Sequence, residues 1–151
     1  FFFFLQTGEY TPRPSIATIA NAMDVGDPSN FARILDLYGQ SHTAIASEIS
    51  GCTYTDEEIA ETLKDTYNAT GYLLDPHGAV GYRSLLENLK ENEIGVFLET
   101  AHPAKFKDTV EDIIKNGVEI PAKLAEFMKG TKSTVKMSSA FPAFKKYLLS
   151  V

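Results

Sequence analysis

Cysteine is nearly absent: Cys52 is the single one in 151 residues. One cysteine excludes an internal disulfide framework and leaves a thiolate zinc site short of ligands. It reads as a small core residue, and a reduced, cytoplasmic compartment fits it. Basic runs are missing too. The formal net charge is −6, and Lys105, Lys107 and Lys115 are interleaved with Asp108, Glu111 and Asp112. That pattern is a solvated helix face and argues against a nucleic-acid partner. The apolar start Phe1-Phe2-Phe3-Phe4-Leu5 gives way at once to Gln6 and Thr7. It is too short for a signal core or a membrane span. His42, His77 and His102 lack metal-like spacing, so no metal is expected. No Ser-His-Asp order, Walker loop or GxGxxG occurs.

What is present is an ordinary globular composition, 44% hydrophobic and 23% charged. The chain is organised around Ile94–Phe106. An apolar run, Ile94-Gly95-Val96-Phe97-Leu98, reads as a buried strand. It changes abruptly to Glu99, Thr100, His102 and Lys105, at the strand end where open α/β sheets place ligands. Ile49–Tyr54 and Thr70–Leu74 read as two further short strands. Asp27 and Pro28 predict a helix start, with Phe31, Ile34, Leu35 and Tyr38 at helical spacing and Gly39 to end it. Thr55 with Glu58 predicts a capping box at the head of another helix. Further helices are expected over Ala79–Leu89, Thr109–Lys115, after Pro121 with Leu124, Phe127 and Met128 inward, and over Phe141–Leu149.

The expected fold is therefore α/β: a partial parallel sheet with flanking helices, helical at the C-terminus. The expected organisation is one unit over 1–151, with loop and helix in 1–40, βα units in 41–117 and helices in 118–151. Three short strands are few for a free-standing sheet, and a chain opening on four phenylalanines looks cut from something longer.

Each candidate residue has a structural and a functional reading. Thr100 can offer a ligand one hydrogen bond or cap the strand end. His102 can serve as an acid–base group or bond the backbone. Lys105 can form a Schiff base, but it reads better as a surface lysine beside Lys107. Asp75-Pro76-His77-Gly78 opens a helix with small residues. Its N–H groups suit an anion, and Gly78 and Gly81 equally suit close helix packing. Without more, the chain reads as an α/β domain with a crevice, and a self-standing binding module for an anion or protein partner is the alternative.

Three motifs sharpen this: Ile19–Phe31 (IANAMDVGDPSNF), Tyr72–Arg83 (YLLDPHGAVGYR) and Thr100–Phe106 (TAHPAKF). Together, in that order, they resemble the threonine synthase family across nearly the whole chain. The resemblance implies the C-terminal part of a pyridoxal-phosphate (PLP) enzyme of the tryptophan-synthase-β type, fold type II. Such an enzyme converts O-phospho-L-homoserine and water to L-threonine and phosphate. The family's Schiff-base lysine lies in a Ser-Phe-Lys-Asp motif, and its phosphate loop is rich in Gly and Asn. Neither is found among these residues. The resemblance implies that Thr100 bonds the pyridine nitrogen, with Ala101 and His102 on the same edge and His77 and Asn30 lining the cleft. It also implies that the chain works with a missing N-terminal part and is inert alone. The family often carries Asn where Asp27 stands.

Overall fold

Side-chain caps at Ser41, Thr55 and Asp75 head three of the helices. A computed structural model describes residues 1–151. The chain divides into two compact units, Phe1–Glu119 and Ile120–Val151.

In the first unit, α1 (Phe2–Thr7), α2 (Phe31–Leu37) and α3 (His42–Glu48) surround a small core of Phe4, Phe31 and Ile45. The Phe4 and Phe31 rings meet edge to face at 4.8 Å. Gly8, at φ 76°, ends α1 in the left-handed region that favours glycine. The start of α2 departs from expectation. Asp27 does not cap it, because its carboxylate accepts the Tyr10 hydroxyl at 2.9 Å. The helix begins only after a turn at Pro28–Phe31.

The larger core holds Ala20, Ile59, Leu63, Leu74, Ala79, Val110 and Val118. Three helices build it: α4 (Asp56–Thr70), α5 (Pro76–Asn88) and α6 (Lys107–Ile114). The capping box on α4 is complete: Glu58 N donates to Thr55 Oγ1 at 3.3 Å, and Thr55 N to Glu58 Oε2 at 2.8 Å. Arg83 of α5 ties α5 to α4 through Glu61 and bonds Glu87 one turn along its own helix, and its guanidinium lies over the Tyr54 ring.

The α/β expectation is overturned. The chain is 51% helical, with no strand or sheet. Ile49–Tyr54, the residues just before Asp75, and Ile94–Leu98 run without regular structure, and no backbone hydrogen bond joins one to another. A strand is defined by its ladder, and a β-rich segment without a neighbour cannot make one. Ile94–Leu98 is not buried on both faces either. Ile94, Val96 and Leu98 are 95%, 80% and 76% exposed, while Gly95 and Phe97 face α5. A Cβ on Gly95 would collide with Leu85, and Phe97 packs on Tyr82 at 5.3 Å. The period-two alternation of an extended chain is present, but its outer face is uncovered.

The second unit carries α7 (Ala122–Phe127) and α8 (Phe141–Leu148). Phe127 and Met128, expected to point inward, are 81% and 65% exposed. Six residues of helix bury too little to enclose them. No helix of the chain is long and apolar enough to cross a membrane.

Candidate functional site

Past Leu98 the backbone leaves its apolar run and turns into a short 3-10 segment, Pro103–Phe106. Between the two, Glu99, Thr100, Ala101, His102 and Pro103 wall an open groove of about 450 Å³ with Tyr72 and Leu73. Thr100 is exposed on that wall, so its hydroxyl offers a donor and an acceptor to a ligand. Ala101 adds a small side chain. His102 is committed locally: its Nδ1 accepts the Ala104 N–H at 3.1 Å and caps the 3-10 segment. Lys105 is exposed on the same segment, and its backbone N–H donates to the His102 carbonyl at 2.9 Å.

The structure thus brings Thr100, Ala101 and His102 together. It does not bring His77 or Asn30 to the same wall. Asn30 is exposed ahead of α2. His77 is held on both ring nitrogens, with Nε2 accepting the Ala22 N–H at 3.0 Å and Nδ1 lying 2.6 Å from Asp75 Oδ1. Its ring also packs against Phe106 at 4.9 Å. No group of three or more His, Cys, Asp and Glu side chains is placed to hold a metal.

Two acids outside the expected set of site residues, Asp75 and Glu99, meet at the groove wall that Glu99 lines. Asp75 is fully buried and caps α5, accepting the His77 N–H at 2.9 Å. Glu99 Oε1 accepts the Asp75 N–H at 2.9 Å, and each carboxyl keeps one buried oxygen, Asp75 Oδ2 and Glu99 Oε2, without a hydrogen-bond partner. Burial and then the bond to Asp75 push the Glu99 carboxyl up to about 7. Burial alone would raise Asp75, but its bonds from Glu99 and His77 hold it below its ordinary value. The N-terminus of α5 therefore already has its acid, supplied by the chain itself, and Gly78 is bare because the Glu99 carboxyl occupies that space. Asp75 before Pro76 signalled a cap in the sequence. Glu99, 24 residues further on, carried no signal of where it would fold.

Comparison with known proteins gives this groove its context. The family profile described as "Threonine synthase, C-terminal" matches residues 78–148. The threonine synthase of Buchnera aphidicola from Acyrthosiphon pisum is 39% identical over 97% of this chain and 34% of its own length. That of Escherichia coli K12 is 35% identical over 97% of this chain and 34% of its own length. The crystal structure of the Escherichia coli threonine synthase superposes with a TM-score of 0.80 at 34% identity, over 98% of this chain and 34% of that one. A PLP-bound threonine synthase from Brucella melitensis superposes with a TM-score of 0.78 at 28% identity, over 97% of this chain and 37% of that one. The chain spans about a third of the length of these relatives.

Proposed function

The chain belongs to the threonine synthase family, whose C-terminal part it matches, and on that footing we propose that it supplies one wall of a PLP site in a cytoplasmic enzyme. The reaction is the conversion of O-phospho-L-homoserine and water to L-threonine and phosphate. The observation that carries this reading is the exposed hydroxyl of Thr100 on the groove wall, beside Ala101 and His102.

The residues fit one edge of PLP. A neutral hydroxyl can bond a pyridine nitrogen without holding a proton on it, as a carboxylate would. Bound there, PLP supplies an electron sink for bonds broken at the substrate's α-carbon. Thr100, as a neutral hydroxyl bonded to the ring nitrogen, would not hold a proton there and so would temper that sink. Ala101 leaves room for the ring, and His102 holds the turn that presents them both. The Schiff-base lysine, the phosphate loop and the proton abstraction assigned to that lysine lie outside these residues, so the chain alone is inactive. The uncovered row Ile94, Val96 and Leu98 is the face we assign to contact with the rest of the enzyme. A self-standing binding module would not leave that row open.

A segment exchange tests the reading. This chain replaces the matching C-terminal part of the Escherichia coli enzyme, and threonine and phosphate formation are measured. The chimera is expected to be active, with Thr100→Ser active and Thr100→Val reduced about tenfold or more. An inactive but folded chimera, or a Thr100→Val variant of full activity, sinks the assignment.

A further inference from the structure

Two buried oxygens have no ordinary hydrogen-bond donor: Asp75 Oδ2 and Glu99 Oε2. The Asp75 N–H bond to Glu99 Oε1 holds the two acids together, and one proton shared between their carboxyls would satisfy both oxygens. The surrounding bonds say which acid holds it. His77 Nε2 accepts the Ala22 N–H, so the ring proton lies on Nδ1 and points at Asp75 Oδ1. That oxygen also takes the His77 N–H. Asp75 Oδ1 thus accepts two donors from His77, which favours the ionised form of Asp75. Glu99 uses Oε1 to accept the Asp75 N–H, which leaves the unpartnered Oε2 as the oxygen free to carry a proton. The pair holds one negative charge, at the head of a 13-residue helix whose dipole favours it.

We propose that Glu99 is a positioning residue for Thr100: protonated, bonded to Asp75 and seated on bare Gly78, it pins the backbone so that the next side chain faces the groove. The same bond keeps the carboxylate nearest Thr100 in chain order from standing ionised beside the pyridine edge. This rests on the assignment of Thr100 to the PLP ring nitrogen. The chain of bonds runs from Ala22 through His77 and Asp75 to Glu99, and so ties the Asn21–Met23 turn and α5 to the groove wall. The raised proton affinity of Glu99 agrees with it.

The experiment uses the full-length chimera loaded with PLP, its Glu99→Gln and Glu99→Ala variants, and two readouts besides activity: PLP affinity by absorbance titration, and the carboxylic-acid band in the infrared. A Gln amide donates to Asp75 Oδ2 and accepts the Asp75 N–H, so Glu99→Gln is expected to keep PLP affinity within about twofold. Glu99→Ala strands Asp75 Oδ2 and is expected to weaken PLP binding about tenfold. The parent is expected to show an acid band near neutral pH that Glu99→Gln lacks. Wild-type affinity in Glu99→Ala, or equal losses in both variants, overturns the proposal. If Glu99→Ala fails to fold, Glu99→Gln and the infrared band decide, and a parent without that band overturns the shared proton. A parent that takes up no PLP overturns the functional reading instead, and the band still decides the state of Glu99.

Discussion

Asp75 and Glu99 place two acids where the first turn of α5 accommodates one negative charge, and that sets a pH dependence at the scale of single residues. The folded Glu99 holds its proton up to about 7, against an ordinary value of 4.5. A folded state that binds the proton more tightly gains stability that is fully present below about 4.5 and lost as pH rises through about 7. Asp75, lowered from 3.8, acts oppositely: its contribution is present above 3.8 and is lost as pH falls through the folded value. The titratable groups around the pair are His77, bonded to Asp75, and Tyr72 and Tyr82, which share a recess with Glu99. The melting midpoint is therefore expected to fall between about pH 4.5 and 7, and Glu99→Gln to flatten that fall. An identical slope in the variant would remove Glu99 as the cause. At this scale the sequence marked Thr100, the cap at Thr55 and the helix opening at Asp75. It could not mark the partnership of Asp75 with Glu99, because only the fold brings them together.

At the scale of elements, the helix headed by Thr55 and Glu58 formed where its start signal stands. Thr55 and Glu58 satisfy each other within four residues and need nothing from the rest of the chain. Thr55→Ala is expected to destabilise the fold by about 1 kcal/mol, read as a lower urea midpoint. An unchanged midpoint would mean that the box contributes nothing. Asp27 and Pro28 carry an equally good start signal, yet Tyr10 takes the Asp27 carboxylate and α2 starts later. A cap works only while its side chain is free to serve the helix. The strand expectation failed for a related reason. Ile94–Leu98 has β-forming residues and the right alternation, but pairing is a property of two segments, and α5 supplies side chains rather than a backbone edge.

At the scale of the molecule, two hydrophobic clusters hold the first unit, one around Phe4, Phe31 and Ile45 and the other around Leu63, Leu74 and Val110. Neither cluster covers Ile94, Val96 or Leu98. Val96→Lys, already exposed on a surface, is expected to shift the chain's own stability by no more than about 0.5 kcal/mol. In the chimera the same change is expected to abolish assembly or activity, because a charge there must be desolvated against the remainder of the enzyme. Activity equal to the parent would show that this row faces solvent in the whole protein.

The sequence alone determined what depends on neighbours in the chain: the capping box, the helical stripes, the absence of metal and disulfide patterns, and the family motifs that pointed to Thr100. The tertiary structure alone decided what depends on distant partners. It left the apolar run unpaired, turned Phe127 and Met128 outward, and gave Asp27 to Tyr10. It also set Glu99 on the head of α5. Hydrogen bonds within a few residues form from local spacing, whereas a ladder, a buried face or a shared proton exists only when a second segment is folded against the first.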